Sequence, residues 1–545
     1  MSAIARRCVF VQFAIISLFM VLPVWAQVTP TRPAPAPQPS LGDYARNLRE
    51  KQRKKVKVTA EEAQQIFKAV DDITEFASKD SGLAHKSKVK RQLVGQSEVE
   101  KLVRDHTLSE EEKQERARGL LAMKKFGLLP RDFDMESFAV EMLGENVAGF
   151  YDPKTKMVSL LDWIALEEQK SVLAHELTHA LQDQNYDLQK WHKQRKATVA
   201  DAGKSVVNSE TDAGESSTAG RCVTEGQAMV VMFDYLLASM GAGVDLEHSP
   251  GLAEALQERM SYGAEGPVLH RAPLALREGM SFPYKEGMMF EITLLEKGSR
   301  KMAFTTALQE PPRLTHEILQ PRVYLAKEKI APVRIPDLRP VLGDSVRVQD
   351  TGVIGELDTR VFIRQFESNW LAKELSKAWR GGSYATVARA PQGQPLTTND
   401  VALLYVSRWQ TPEAAERFAK FYAGAVAKRY RNAEITAGWT HSEKSGEAIA
   451  AVQLNTEEGP VVVELWPGNM VFVSESFDAA VAARLRAAVI APTGGTRSAE
   501  IFHDGRDSDL TLRLAASPEL APVREAVHDS AMRSLIQLAR EAAGR

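Results

Sequence analysis

Two histidines and a glutamate stand at a spacing that can support metal-assisted hydrolysis. His175 and His179 are four residues apart, and Glu176 directly follows the first of them. On a helix both imidazole rings project from one face about one turn apart, so their nitrogen atoms can reach one zinc ion at about 2 Å. Glu176 is displaced around the helix, where its carboxylate can take a proton from a water molecule that zinc makes acidic. The motif predicts two metal ligands and a general base.

The flanking sequence predicts a β-hairpin followed by a long helix, which together would position this motif. Residues 148–151 and 157–160 have the composition of strands, and residues 152–155 (DPKT) form turns readily. Residues 164–188 contain neither proline nor glycine and carry apolar residues at helical spacing. We therefore expect the motif to lie in the middle of a long helix with an apolar pattern.

The string HELTHALQDQ (residues 175–184) resembles the active-site helix of zincin metallopeptidases. Asp183 follows His179 by four residues, as in thermolysin-like enzymes, and uncharacterised bacterial secreted proteins carry a similar helix. The resemblance covers roughly residues 145–324 and implies a zincin-like catalytic domain that acts on peptides or proteins. It also implies that Asp183 supports a zinc-bound histidine, and that the hairpin holds an extended peptide by β-augmentation.

A zincin helix supplies two ligands, so a third ligand is needed and one coordination position stays open. Residues 224–228 (TEGQA) resemble the EGxA motif of gluzincins, in which a glutamate on a second helix completes the site. The resemblance implies Glu225 as the third ligand of a Zn²⁺ ion. Gly226 would let the two helices approach closely, and an apolar helical pattern continues to residue 240.

Glu210 and Glu215 are alternative third ligands. Both lie in residues 197–220, a stretch rich in serine, glycine, alanine and threonine. This composition predicts a flexible insertion, which would hold a ligand poorly. Glu225 is therefore the preferred candidate.

Tyr284 is the first candidate for stabilising the oxyanion. Residues 282–287 (FPYKEG) resemble a YxxG pattern on a later helix of related proteins. The alternative is that Tyr284 is an aromatic residue packed at the start of a helix. Tyr151, His270 and His316 are further options for the same role.

Length and composition limit the classes of protein to consider. The chain has 545 residues, of which 44% are hydrophobic and 26% charged, with a formal net charge of -2. A chain of this length predicts two or three domains. The balanced charge gives no indication of nucleic-acid binding.

The N-terminal residues predict export. Arg6 and Arg7 precede an uncharged, mostly apolar run over residues 9–24, and Ala26 ends a possible signal-peptidase site. We expect cleavage after Ala26, no stable membrane span afterwards, and a periplasmic or secreted protein; an uncleaved anchor is the alternative. Cleavage would leave Cys222 as a lone thiol, which we expect to be buried as an apolar residue.

The predicted fold class is α+β, and the C-terminal region supports it. Residues 401–406 have the pattern of a strand, residues 412–430 that of an amphipathic helix, and residues 449–473 that of a meander. The predicted parts are a signal peptide (1–26), a proline-rich linker (27–40), a helical region (41–130), a zincin-like metallopeptidase domain (131–330) and an α+β domain (331–545).

These features lead to the expectation of an exported zinc-dependent peptidase with Glu176 as general base. The alternative from another class is a catalytically inactive zincin-fold protein that acts as a cell-envelope binding or assembly factor. A third possibility is a helical scaffold in which the motif occurs by chance and binds no metal. The sequence does not indicate an oligomeric state.

Overall fold

The computed structural model describes residues 59–95, 98, 110–143, 149–162, 166–197, 213–262, 267–343, 347–389 and 395–490. The predicted signal peptide and proline-rich linker, as well as Glu210, lie outside the described residues.

Helices fill most of the described chain between residues 166 and 342, and seven of the ten described strands lie between residues 347 and 475. The helices are α1 (Ala60–Ser81), α2 (Glu110–Phe126), α3 (Met135–Leu143), α4 (Leu166–Tyr186), α5 (Leu188–Ala197), α6 (Ala213–Ser239), α7 (Pro250–Tyr262), α8 (Pro267–Arg271), α9 (Leu274–Lys297), α10 (Ala307–Gln309), α11 (Thr315–Leu319), α12 (Pro321–Leu325), α13 (Arg339–Leu342), α14 (Glu356–Phe366), α15 (Asn369–Ser376), α16 (Pro412–Arg429) and α17 (Ala479–Ile490). The strands are β1 (Lys90–Val94), β2 (Phe150–Asp152), β3 (Met157–Leu161), β4 (Arg347–Val353), β5 (Trp379–Ala388), β6 (Val401–Trp409), β7 (Glu434–His441), β8 (Ala450–Thr456), β9 (Gly459–Trp466) and β10 (Met470–Glu475).

A small sheet with the strand order β1-β3-β2 lies against α4. Strands β2 and β3 form the predicted hairpin, with Tyr151 opposite Val158. The turn closes because the Asp152 carboxylate accepts the backbone N–H of Lys154 at 2.8 Å, and Lys156 takes a left-handed φ of 59°. Within the described residues, this order leaves β2 at the edge of the sheet.

Helix α4 is buried over the turns that carry the motif. Its inner residues pack with α1 and the small sheet in one apolar cluster that includes Ile66, Val70, Leu160, Leu173 and Leu177. The helix stops at Tyr186 because Asp187 adopts a left-handed φ of 52°. The prediction of a hairpin followed by a long helix is confirmed.

Helix α6 is central among the helices that surround α4. It packs against α4, α5 and α9, and its 27 residues are buried on almost every side. A helix that is apolar all round is expected at such a place. The predicted helix over residues 222–240 is confirmed, but it begins earlier, at Ala213, inside the stretch predicted to be flexible.

The C-terminal region is an antiparallel seven-stranded sheet with the order β4-β5-β6-β10-β9-β8-β7. Both faces are covered at the centre of the sheet, whereas the edge strand β7 is mostly exposed. Leu403 and Tyr405 of β6 face the core that contains Phe418 of α16, and Leu404 and Val406 face the core beneath α17. Burial on both faces explains why the sequence of β6 is a continuous apolar run.

The region predicted as helical, residues 41–130, differs from that prediction in its described part. Residues 90–94 form strand β1, which pairs in parallel with β3. Helix α1 packs on α4, whereas α2 contacts the C-terminal sheet. Lys125 of α2 is fully buried there and donates to Glu458 at 2.7 Å. Helix α1 and strand β1 therefore belong to the core around α4, and α2 belongs to the core of the C-terminal sheet.

The prediction of the α+β class is confirmed by this mixture of helical layers and a largely antiparallel sheet. In the part of the chain that the structure describes, no helix has the length and apolar character needed to cross a membrane.

Candidate metal centre

Helix α4 places the two histidines of the motif side by side. Their rings meet edge to face, with centroids 4.7 Å apart and planes inclined by 82°. The Nε2 atoms of His175 and His179 lie 3.0 Å from each other. His175 is buried and His179 is mostly buried. The one-turn spacing thus brings two imidazole nitrogens to one point.

Helix α6 brings a carboxylate to the same point. Oε2 of Glu225 lies 3.2 Å from Nε2 of His175 and 3.2 Å from Nε2 of His179. Among the described residues, these three form the one group of at least three histidine, cysteine or acidic side chains whose ligand atoms meet closely enough for a metal ion. The structure thus brings together the three predicted ligands, and their role in binding a metal stays a prediction.

The triangle of donor atoms has the dimensions of a metal site. Ligands at 2.0–2.1 Å from a tetrahedral ion lie about 3.3 Å from one another, and the observed separations are 3.0–3.2 Å. Three protein ligands leave one position of a tetrahedron open. The donor set therefore fits an ion that prefers nitrogen and oxygen ligands.

The Glu225 carboxylate and the His179 imidazole shift each other's pKa. Burial opposes a charged imidazole, but the Glu225 carboxylate outweighs it and raises the pKa of His179 to about 9. Burial likewise opposes the ionised form of Glu225, yet His179 holds the pKa of Glu225 well below its usual range. Both shifts arise because a carboxylate and two imidazoles share one buried point.

Gln182 fixes the orientation of His179, a contact that the sequence reasoning missed. The Gln182 amide nitrogen donates to the Thr224 carbonyl at 3.0 Å and to Gln227 at 2.8 Å, so its oxygen faces Nδ1 of His179 at 2.9 Å. Because an amide oxygen only accepts hydrogen bonds, Nδ1 carries a proton, so the neutral form of the ring directs the lone pair of Nε2 at the cluster. Gln182 also ties α4 to the residue before Glu225.

Asp183 has a different role from the one that the resemblance implies. Within the described residues its hydrogen bonds go to the Tyr151 hydroxyl at 2.7 Å, to Lys156 at 2.6 Å and to the Leu188 backbone N–H at 2.8 Å, and none goes to either histidine. The expectation that Asp183 supports a zinc-bound histidine is therefore wrong. Asp183 instead fastens the β2–β3 hairpin to α4.

Glu176 lies beside the cluster and outside the donor triangle. Its Oε2 atom accepts the backbone N–H of Tyr151 at 2.8 Å, and its side chain is buried. Strand β2 therefore fixes the carboxylate. The Tyr151 hydroxyl is directed at Asp183, and burial together with Asp183 raises the pKa of Tyr151 well above its usual range.

Tyr284 of α9 is also at this site. Its ring lies against His175, with centroids 6.3 Å apart, and the residue is buried. Tyr284 stands in the interior of α9 directly after Pro283, so the alternative that it packs at the start of a helix is wrong. It remains the best placed of the proposed oxyanion residues.

Two glycines let α6 and α9 approach at the site. A Cβ atom on Gly226 would lie closer than 3.0 Å to the carbonyl oxygen of Gly287, and one on Gly287 would overlap the carbonyl oxygen of Cys222 in the same way. Real Cβ atoms do not approach backbone atoms so closely. The glycines therefore permit the contact that carries Glu225 and Tyr284 towards α4.

The other sequence-predicted candidates lie elsewhere. His316 is buried, its Nδ1 atom lies 2.5 Å from Oε2 of Glu356, and its ring packs on Trp379. His270 is exposed at the end of α8. Glu215 is fully buried in the first turn of α6, where it accepts the backbone N–H of Thr315 at 2.7 Å.

The expectation that Glu215 lies in a flexible stretch is therefore wrong, because it has a structural partner on α11. Cys222 is buried as expected, and burial raises the pKa of its thiol well above the usual range. A thiol that stays protonated is a poor nucleophile.

Comparison with known proteins concerns the C-terminal sheet. Residues 344–471 match the model of a family described as a domain of unknown function (DUF8575), which covers less than a quarter of the chain. No curated protein matches the chain, and no solved structure matches it. The family match does not include His175, His179 or Glu225.

Proposed function

We propose that this chain is an exported zinc-dependent peptidase of the gluzincin type, which hydrolyses peptide bonds with Glu176 as the general base. The meeting of two imidazoles and the Glu225 carboxylate at 3.0–3.2 Å, beside Glu176, carries the proposal. The ligands come from two helices, one with an HExxH sequence and one with an EGxA-like sequence. This arrangement, next to a sheet with an antiparallel edge hairpin, supports a zincin-like domain.

His175, His179 and Glu225 are the residues that would hold zinc. Neutral imidazole and carboxylate are ligands that zinc accepts, and catalytic zinc sites keep one position open. Bound zinc would supply a Lewis acid that makes a water molecule acidic and polarises the scissile carbonyl.

Glu176 then performs the proton transfers. Its carboxylate takes a proton from the attacking water and delivers it to the nitrogen of the leaving amine. The hydrogen bond from the Tyr151 backbone N–H holds one carboxylate oxygen in place. Because strand β2 makes this contact, an extended substrate paired with the edge of β2 would pass close to Glu176.

Zinc content tests the proposal. Purified mature protein should contain about one zinc ion per chain by elemental analysis, and His175→Ala and Glu225→Ala should each lose most of it, because a three-ligand site depends on every ligand. His248→Ala, which changes an exposed histidine, should keep the metal. Folding of every variant is checked by circular dichroism.

The possible outcomes separate the three hypotheses. Zinc in the wild type together with cleavage of peptides supports the peptidase. Zinc without cleavage of any peptide or protein supports the inactive binding or assembly factor. Folded, metal-loaded protein that retains no zinc would overturn both and leave a helical scaffold.

Tyr284→Phe tests the oxyanion role separately. We expect kcat to fall about a hundredfold, with little change in KM, because a single oxyanion donor contributes an effect of this size. Zinc content should not change, since the ring packs against His175 without belonging to the donor triangle. Loss of zinc in Tyr284→Phe would instead indicate that the residue supports the ligand His175.

A further inference from the structure

A positively charged cleft adjoins the metal centre on the side of the hairpin. It has a volume of about 400 Å³ and lies between residues 86–90, the β2–β3 hairpin and α4. Tyr151 joins the cleft to the site, because its side chain lines the cleft while its backbone N–H binds Glu176. Tyr151 therefore contacts both the cleft and Glu176, the proposed general base.

The lining of the cleft concentrates positive charge. Lys86, Lys88, Lys90 and Lys156 face one acidic residue, Asp183. The whole chain has a formal net charge of -2, so this concentration is local. A cleft lined by one sign of charge focuses the electrostatic potential inside it.

The carboxylates at the cleft already pair with lysine or arginine side chains of the protein. Asp183 is fully buried and is neutralised by Lys156 at 2.6 Å. Lys88 pairs with Asp71 at 3.3 Å, and Asp71 also binds Arg91 at 2.8 Å.

Two of the lysines remain available to a ligand. Lys86 donates to the backbone carbonyl of Gln184 at 3.2 Å, and in the described part of the chain neither Lys86 nor Lys90 pairs with a carboxylate. Both are exposed. Their ammonium groups can thus bind an additional carboxylate without breaking an ion pair.

We propose that this cleft binds a carboxylate of the substrate close to the scissile bond. The inference rests on the proposed peptidase function and names its substrate class: peptides that carry either an acidic side chain or a free C-terminal carboxylate near the cleaved bond. Tyr151 lines the cleft, and its backbone N–H contacts Glu176, so a substrate that passes Glu176 has the cleft beside it.

Matched peptides distinguish the two sources of the carboxylate. The reference peptide has an amidated C-terminus and glutamine at the positions near the scissile bond. In the first set the C-terminus stays amidated, and a single glutamate replaces glutamine at one position on either side of that bond in turn. In the second set the glutamine stays and the C-terminus is free. If the cleft binds an acidic side chain, kcat/KM should rise about tenfold over the reference in the first set. If it binds the terminal carboxylate, the same rise should occur in the second set.

Charge reversal tests the cleft itself. Lys86→Glu/Lys90→Glu should remove the preference, so that kcat/KM for the preferred peptide falls about tenfold relative to kcat/KM for the glutamine reference with the amidated C-terminus. The wild-type preference should shrink in about 1 M salt, where the Debye length is ~3 Å. Lys190→Glu/Lys193→Glu is the matched control, because it makes the same charge change at exposed positions of α5 outside the cleft.

The outcomes separate this inference from the proposed function. Equal cleavage of acidic and neutral peptides, unaffected by Lys86→Glu/Lys90→Glu, would overturn the cleft and leave the peptidase standing. If the wild type cuts no peptide, the proposed function fails. Binding of the same peptides, labelled with a fluorophore, to zinc-loaded Glu176→Gln protein then tests the cleft, because acidic peptides that bind no tighter than neutral ones would overturn it.

Discussion

Replacing Glu176 by glutamine is expected to lower kcat for peptide hydrolysis about a thousandfold, within the range of effects of a general base. The amide has nearly the same shape and can still accept the Tyr151 backbone N–H, but it cannot take a proton from water. The zinc content should stay unchanged, because Glu176 lies outside the triangle formed by His175, His179 and Glu225. Steady-state kinetics and elemental analysis on the same preparation measure both effects.

Glu167→Gln is the control for this variant. Glu167 lies on the same helix α4, is exposed, and pairs with Lys170 at 2.5 Å. Its replacement should leave kcat within a factor of about two, since exposed ion pairs contribute little. Full hydrolysis by Glu176→Gln protein would contradict the mechanism, and a loss of zinc in this variant would show that Glu176 is needed to assemble the site.

The elements that carry the motif could be predicted because their signals are local. The hairpin at Asp152 and the helix around His175 follow from turn residues and apolar periodicity, which read only a few neighbouring positions. Strand β1 could not be found in this way. It pairs with β3, and Lys90 lies opposite Met157, so its partner is far away in the sequence and no local period indicates it.

Gln182 and Asp183 show where motif reasoning fails within the site. They follow His179 by three and four residues, and both spacings place a side chain near the histidine on the same side of a helix. Sequence alone therefore does not decide between them. The choice is made by neighbours, because Tyr151 and Lys156 bind Asp183 while Thr224 holds the Gln182 amide.

Glu215 illustrates a limit of composition. Serine, glycine, alanine and threonine predict flexibility when they are exposed, but small residues also allow helices to pack closely. Ala219 and Gly220 are buried in α6, and Glu215 accepts the backbone N–H of Thr315 of α11 at 2.7 Å. Glu215 is therefore held in place by a helix that is distant in the sequence, which the composition of its own segment could not indicate.

Replacing Gly287 by alanine is expected to lower the free energy of unfolding by about 3 kcal/mol, the effect of forcing extra volume into a packed contact. The new methyl group would collide with the backbone carbonyl of Cys222, which a side-chain rotation cannot relieve. Separation of α6 from α9 would also displace Glu225, so we expect weaker zinc binding. Chemical denaturation and zinc titration measure the two consequences.

Gly424→Ala is the matched control, and its effect should have the opposite sign. Gly424 lies within α16, is exposed, and a Cβ atom there would meet no other atom within 4 Å. Alanine should therefore stabilise the protein by about 0.5–1 kcal/mol, because glycine is unfavourable inside a helix. If Gly287→Ala also stabilised the protein and kept its zinc affinity, the close approach of α6 and α9 would not be required to assemble the metal site. Opposite signs for the same substitution, together with weaker zinc binding by Gly287→Ala alone, would show that the backbone contact at Gly287 holds Glu225 in place.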